Sequence, residues 1–118
     1  MPHFVIDCSE DILKESEFTI LNILEEVHLV AEKTKLFDKK DIKVRLQPFE
    51  KYLVGGEKTH FIHVFANIME GRTKKQKANL SQQMVRKLTE MFPDVPFVAM
   101  NIRDFEKETY ANRTFLKS

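Results

Sequence analysis

The residues of this chain that could do chemistry begin at its second position. If the initiator methionine is removed, Pro2 no longer carries a peptide bond on its nitrogen and becomes a free secondary amine. Burial and nearby cations each lower the pKa of an amine, because each disfavours the charged form. A neutral prolyl nitrogen in an apolar pocket could then act as a general base near pH 7, a role worth roughly 10²–10⁴-fold in rate. The competing interpretation is that Pro2 only begins a strand.

A second candidate is the segment Gly71-Arg72-Thr73, which precedes a predicted helix. Thr73 and Gln76 have the spacing of a capping box, with a hydroxyl first and a glutamine three residues later. The N-terminus of a helix presents free N–H groups, so a flexible glycine and an arginine beside it predict an anion-binding site. We expect Arg72 to bind a carboxylate. The lysines that follow it are expected to form a solvated face: Lys74, Lys75 and Lys77.

Two further cations, Lys43 and Arg45, lie two residues apart on one face of a predicted strand. If this strand and the first strand are parallel neighbours, that face can converge on the start of the chain or on a neighbouring subunit. Arg45 is the stronger candidate for substrate binding, because a guanidinium can hold a carboxylate with two hydrogen bonds. An ordinary polar sheet edge is the competing interpretation.

The histidines and the cysteine predict no metal site. His60 and His63 are three residues apart on a predicted strand, which places them on opposite faces. No cluster of cysteines or carboxylates completes a ligand set around them. His28 stands alone on a helix and Cys8 alternates with apolar strand residues, so both are expected to be structural. With one cysteine no intrachain disulfide can form, which fits a reducing, cytoplasmic setting.

The first of two predicted strand–helix–strand units spans about residues 2–53. Residues 2–9 alternate with the two-residue period of a strand. From about residue 10 to 37 apolar residues recur at spacings of three and four, which predicts a helix with one buried stripe. Residues 42–47 alternate again and predict a second strand, which Pro48 should end or mark as an edge or bulge.

The second unit, about residues 59–105, repeats this order. Residues 60–69 alternate as a strand, and a helix follows from Thr73 until two prolines stop it. Residues 97–102 form the last predicted strand. The tail, residues 103–118, is polar with scattered aromatic residues and is expected to pack late or on a neighbouring subunit.

These units predict a single α+β domain over residues 1–118. The two strands of a strand–helix–strand unit are parallel and its crossover is right-handed, so two units side by side give a four-stranded mixed sheet with two helices on one face. The uncovered face needs a partner, and a second or third subunit is the expected cover. A ferredoxin-like scaffold has the same element order, so a binding or regulatory module in which Pro2 has no chemical role stays open.

Composition argues against several classes of function. The 19 Lys and Arg against 18 Asp and Glu leave a net charge of +1, which gives no overall attraction to nucleic acid or to an acidic membrane. No stretch is apolar enough to span a bilayer, and the N-terminus lacks the basic and apolar parts of a signal peptide. We therefore expect a cytoplasmic protein that binds neither nucleic acid nor membrane.

Three features together resemble the tautomerase superfamily, and within it the 5-carboxymethyl-2-hydroxymuconate Δ-isomerase family. They are the start PHFVIDCS, the segment Gly71-Arg72-Thr73 and the doubled strand–helix–strand plan. The similarity covers most of the chain and is strongest over residues 2–9 and 60–80, whereas the strand over residues 42–45 fits less closely. The resemblance implies a tautomerase/MIF-like fold assembled as a homotrimer.

The resemblance also implies a chemistry. Met1 is removed, Pro2 is the catalytic base, no cofactor takes part, and a proton moves along a small anionic unsaturated acid such as 5-carboxymethyl-2-hydroxymuconate, in the breakdown of aromatic acids such as homoprotocatechuate. Arg72 falls on an arginine position of the family. Lys43 falls near another where the isomerase has arginine, and Arg45 can take over part of that role. A keto–enol tautomerase of broader specificity, with the same base, is the alternative.

Overall fold

The chain forms two strand–helix–strand halves in the predicted order, and the computed structural model describes residues 1–116. The first half contains β1 (His3–Ser9), α1 (Glu10–Glu15), α2 (Ile20–Lys33) and β2 (Lys43–Phe49). The second half contains β3 (Phe61–Met69), α3 (Lys74–Met91) and β4 (Phe97–Phe105). The tail follows β4, and its last two residues, 117 and 118, lie outside the described part.

One mixed sheet joins the two halves in the order β2-β1-β3-β4. β1 is parallel to β2, β3 is parallel to β4, and the two central strands β1 and β3 are antiparallel. Each helical crossover therefore returns the chain beside the strand that it left. This arrangement confirms the predicted four-stranded mixed sheet with its helices on one face.

A single apolar core lies between the sheet and the helices. Alternate residues of the two central strands point into it, and α2 and α3 each contribute one stripe at spacings of three and four. Full burial of each larger side chain stabilises the fold by about 1.5–3 kcal/mol. No helix in the described part is long and apolar enough to cross a membrane. The core includes Phe4, Ile6, Val64, Ile68, Ile23, Val27, Leu80, Met84 and Leu88.

The prediction of one helix over residues 10–37 is wrong, because the helix breaks after α1. The Ser16 hydroxyl accepts a hydrogen bond from the Phe18 backbone N–H at 2.8 Å. Thr19 then caps α2, since its hydroxyl accepts from the Asn22 N–H and the Asn22 side chain accepts from the Thr19 N–H, both at 3.0 Å. Such local side-chain bonds compete with the helical backbone pattern.

Pro48 lies within β2, which runs on to Phe49. Because β2 is an edge strand whose outer side needs no partner, the prediction that Pro48 marks an edge is confirmed. Two further boundaries differ from the prediction. α2 ends early, and Lys35, with φ of 65°, turns the chain away from the helix. β4 runs to Phe105, so the tail begins three residues later than predicted.

The opposite face of the sheet has no helix from the described residues against it. The partly exposed His3, Val5 and Asp7 of β1 lie there, beside residues of β2 at the same register positions. Two large aromatic side chains on this face are open, with Phe65 40% and Phe97 52% exposed. The open face is therefore mixed in character rather than uniformly polar.

Candidate active site

Pro2 lies at the buried start of β1. Its side chain is less than 2% exposed, and its carbonyl accepts a hydrogen bond from the Lys43 N–H at 3.1 Å, beside the first register pair of β1 and β2. The sheet thus fixes the direction of the ring. In this structure the Pro2 nitrogen is an amide bonded to Met1, and an amide nitrogen cannot take up a proton near neutral pH. Base chemistry at this position therefore requires that Met1 be removed.

The amino group of Met1 reports the electrostatic field at this end of the sheet. Its pKa lies below the usual value of 8.0, chiefly because burial disfavours the charged form. The Asp41 carboxylate opposes this shift, whereas the charges of Arg72 and Lys43 add to it. The fold therefore brings two of the predicted cations close to the N-terminus, and an amine at Pro2 would stand one residue away from the same groups.

The Arg72 side chain is held in place by protein groups. Its Nη2 donates to the Leu36 carbonyl at 2.7 Å and its Nη1 donates to the Met69 carbonyl at 3.1 Å. The guanidinium also lies over the Phe37 ring, 5.0 Å from the centroid. These hydrogen bonds use two of the five N–H donors of a guanidinium, so the others can serve a ligand. Arg72 is thus a fixed positive group rather than a mobile one.

The capping box predicted at the start of α3 is present. The Thr73 hydroxyl accepts from the Gln76 N–H at 3.1 Å, and the Gln76 side chain accepts from the Thr73 N–H at 2.8 Å. Gly71 precedes it with φ of 119°, a conformation that side chains rarely adopt. Because the cap satisfies N–H groups at this helix end, the Arg72 guanidinium is the stronger anion-binding candidate here.

The three lysines after the cap do not share one environment. Lys74 and Lys75 are exposed, as predicted for a solvated face. Lys77 instead donates to the Asp104 carboxylate at 3.0 Å and is only partly exposed. For Lys77 the prediction of a purely solvated side chain is wrong, because β4 extends far enough to place Asp104 beside α3.

Lys43 and Arg45 lie on the open face of the sheet, at the register positions of His3 and Val5. Arg45 Nη1 is 3.2 Å from His3 Nδ1, and Lys43 Nζ donates to the Asp41 carbonyl at 2.9 Å. Burial lowers the pKa of His3 below its usual 6.5, and the charges of Arg45 and Lys43 lower that pKa further. His3 is therefore neutral at pH 7 and can accept a hydrogen bond from Arg45.

The C-terminal tail returns to the N-terminus, a contact that sequence reasoning did not find. Asn112 Nδ2 lies 3.5 Å from the Met1 sulfur and 3.3 Å from the Tyr110 hydroxyl. The Tyr110 ring stacks on Phe105, with centroids 5.0 Å apart and an interplanar angle of 27°. The only signal in the sequence was the scattering of aromatic residues along the tail, and these residues now fix its path.

The remaining candidates occupy separate places. His60 Nε2 lies 2.9 Å from the Glu15 carboxylate, whereas His63 Nε2 lies 2.6 Å from the Asn101 side-chain oxygen on the open face. The described part of the chain contains no group of three or more His, Cys, Asp or Glu residues that could hold a metal ion. Cys8 is in the core, and burial raises the pKa of its thiol to about 11.

A large cavity of about 690 Å³ lies at the far end of the sheet from Pro2. It is formed between the α1–α2 connection and the α3–β4 connection, and the seven residues of β1 separate it from Pro2 by about 20 Å. Three carboxylates line it, those of Glu15, Glu17 and Asp94. These charges would repel an anion, so the N-terminal end, where Arg72 and Lys43 lie, is the better candidate site for an acid.

Solved structures with this architecture belong to the tautomerase superfamily. A fused 4-OT in a symmetric trimer has a TM-score of 0.80 and 16% identity, over 97% of this chain and 94% of that chain. Pt0534 inactivated by 2-oxo-3-pentynoate has a TM-score of 0.78 and 19% identity, over 94% and 91%. The macrophage migration inhibitory factor-like protein from Entamoeba histolytica has a TM-score of 0.72 and 15% identity, over 94% of each chain. The fold is that of the tautomerase superfamily.

A family model assigns the chain more closely. The model described as 5-carboxymethyl-2-hydroxymuconate isomerase matches residues 2–114, and the chain belongs to this family. A search of curated proteins finds no match. The family resemblance predicted from the sequence is thus confirmed, and a ferredoxin-like binding module is set aside. The matched region begins at Pro2 and reaches past Asn112 into the tail.

Proposed function

We propose that this chain is an isomerase that moves a proton along an unsaturated hydroxy- or keto-acid with two or three carboxylates, of the 5-carboxymethyl-2-hydroxymuconate class. Pro2, freed by removal of Met1, is the general base. The observation that carries the proposal is the position of Pro2, at a buried strand start beside the positive charges of Arg72 and Lys43. The reaction uses no cofactor, and its place is the cytoplasmic breakdown of aromatic acids.

The base must be neutral before it can act. The pKa of the Met1 amino group is lowered, chiefly by burial and further by the charges of Arg72 and Lys43, although the Asp41 carboxylate raises it. The same influences would act on an amine at Pro2, and burial is again the main reason for it to be neutral. The neutral Pro2 nitrogen takes a proton from a carbon next to the substrate carbonyl. The resulting ammonium returns the proton to a carbon further along the conjugated chain. No atom is gained or lost, so the overall reaction is an isomerisation.

The cations stabilise the charge that this transfer creates. When the proton leaves carbon, negative charge develops on the conjugated oxygen, and fixed positive groups aimed at that oxygen stabilise it most effectively. Arg72 suits this role because two backbone carbonyls and an aromatic ring already hold it. Lys43 supplies a second positive charge, and its compact ammonium group lacks the planar, two-pronged geometry of a guanidinium.

We propose that each chain is one domain with one site and that the active unit is a homotrimer. The open sheet face, with exposed Phe65 and Phe97, needs a partner, and a 4-OT relative of the same fold is a trimer. A trimer would bury these aromatic rings. In such an assembly the open face that carries Arg45 and His3 lies at the subunit boundary, whereas Arg72 serves the Pro2 of its own chain.

One observation favours a second candidate, a keto–enol tautomerase of broader specificity with the same base. Lys43 stands near a position where the resemblance implies arginine, and an ammonium cannot hold a carboxylate with two parallel hydrogen bonds. A looser carboxylate site would admit monocarboxylic substrates such as phenylpyruvate-like enols. Both candidates share Pro2 and differ only in how many carboxylates the site requires.

The test combines native mass spectrometry with turnover of a panel of dienol acids. We expect a trimer of chains that begin at Pro2 and that isomerise dicarboxylic and tricarboxylic dienols faster than the enol of phenylpyruvate. Pro2→Ala should lower kcat at least 100-fold while changing KM little. A mature chain that keeps Met1 and is fully active would refute the base, and faster turnover of phenylpyruvate would favour the broader tautomerase.

A further inference from the structure

We propose that Asn112 donates a hydrogen bond to an anionic oxygen of the substrate, in the space that the Met1 side chain fills in this structure. The inference rests on the proposed function, because it requires that Met1 be removed and that the substrate reach Pro2. It gives the C-terminal tail a direct part in substrate recognition. Asn112 is a binding residue in this proposal and takes no part in proton transfer.

The orientation of the Asn112 amide is fixed by its own hydrogen bonds. Its Oδ1 accepts from the Phe115 N–H at 2.9 Å, so the amide nitrogen must face the other way. That nitrogen lies 3.3 Å from the Tyr110 hydroxyl and 3.5 Å from the Met1 sulfur. A thioether sulfur is only a weak acceptor. One N–H of Asn112 is therefore aimed at the N-terminus without a strong partner there.

The segment that carries Asn112 is tied to the turn that carries Arg72. The Glu70 carboxylate accepts from the Lys107 N–H at 2.7 Å, and the Glu70 N–H donates to the Phe105 carbonyl at 3.0 Å. The Tyr110 ring stacks on Phe105 at the end of β4. These contacts hold the tail against the same end of the sheet as Pro2, so the Asn112 amide has a defined position.

Removal of Met1 changes what this amide faces. The Met1 backbone is bonded to the Pro2 nitrogen, and the Met1 sulfur lies 3.5 Å from Asn112 Nδ2. Without Met1, the Asn112 amide N–H faces the space that the Met1 side chain leaves beside the free secondary amine. The positive charges of Arg72 and Lys43 act there and the Asp41 carboxylate opposes them. A carboxylate or enolate oxygen of the substrate would accept from the amide and pair with the two cations. A neutral donor orients such an oxygen without adding charge.

The test uses chains that begin at Pro2 and compares Asn112→Leu, Asn112→Ser and a control, Asn79→Leu, on the exposed side of α3. Leucine removes both the donor and the acceptor for the Phe115 N–H, whereas serine keeps a neutral acceptor at this cap but is too short to place a donor where the amide nitrogen lies. We expect KM for a dicarboxylic dienol to rise about tenfold in both Asn112→Leu and Asn112→Ser, with kcat little changed. A purely structural cap would leave Asn112→Ser like the wild type.

A second measurement does not depend on turnover. Binding of trans,trans-muconate is measured by calorimetry, with Met1-retaining protein obtained by inhibiting methionine aminopeptidase during expression. We expect about tenfold weaker binding when Met1 is retained and in both Asn112 variants, and wild-type binding in Asn79→Leu.

Each outcome separates this inference from the proposed function. If Pro2→Ala abolishes turnover while both Asn112 variants keep the wild-type KM and muconate affinity, the proposed function stands and this inference is wrong. If Pro2→Ala keeps full turnover, the proposed base is wrong, and muconate affinity alone decides the role of Asn112. Absence of muconate binding to the wild-type chain that begins at Pro2 would also overturn the inference.

Discussion

Arg72 makes the sharpest prediction, because its two proposed roles can be measured separately. The guanidinium joins the Leu36 carbonyl, after α2, to the Met69 carbonyl, at the end of β3, and so ties the two halves of the fold together. Hydrogen bonds from a charged donor contribute about 1.5–3 kcal/mol each, and partial exposure favours the lower value. Arg72→Met should therefore lower the free energy of unfolding by about 3 kcal/mol, and Arg72→Lys, which can keep one bond, by about 1.5 kcal/mol.

The assay pairs urea unfolding at one fixed protein concentration with steady-state kinetics on a dicarboxylic dienol. For a domain of this size the loss in Arg72→Met corresponds to a Tm lower by roughly 10 °C. Its KM should rise at least tenfold, and Arg72→Lys should recover part of the KM because it restores the charge. Full stability of Arg72→Met would refute the tie between the halves. A wild-type KM in Arg72→Met would refute the role of Arg72 in substrate binding.

Three further results are expected. His3 should titrate below 6.5 by NMR, because burial and, after it, the charges of Arg45 and Lys43 lower its pKa, and Arg45→Met should raise that pKa. In the wild type the unfolded chain binds more protons at His3 than the folded chain does as the pH falls below 6.5. The contribution of His3 to the free energy of unfolding should therefore decrease as the pH drops from 6.5. Met84→Ala should lower the free energy of unfolding by about 2–5 kcal/mol in urea, because Met84 is fully buried in the core. Thr73→Ala should lower it by about 1 kcal/mol through loss of the α3 cap, and equal stability would contradict the cap.

Local patterns predicted the elements that depend on local interactions. The capping box at Thr73 has the usual glutamine partner, so its spacing marked the start of α3 correctly. The cap at Thr19 uses Asn22 instead, and the apolar period continues across it, so the break between α1 and α2 was not predicted. Alternation in the two halves predicted the parallel pairs, because a short helical crossover leaves few other arrangements.

The candidate site was predictable only where it depends on position in these elements. Pro2 and Arg72 follow from the start of β1 and the start of α3, and the pKa of the Met1 amino group shows that the charges of Arg72 and Lys43 both act at the N-terminus. Asn112 contacts Met1 although the two residues are at opposite ends of the sequence. The spacing of apolar residues predicts helices and strands but not a contact between residues so far apart in the chain. Side-chain direction on the open face, such as that of Arg45 toward His3, likewise depends on strand register.

The proline inside β2 also limits how the sheet can grow. Because the Lys43 N–H donates toward β1 and successive residues of a strand alternate in direction, the N–H groups of Val44 and Leu46 point outward from the edge, and Pro48 should be the next donor. Proline has no N–H to offer. A strand added at this edge would therefore lack one backbone hydrogen bond near the carboxyl end of β2. This missing hydrogen bond disfavours continued addition of strands, whereas Lys43–Gln47 can still pair with a partner strand.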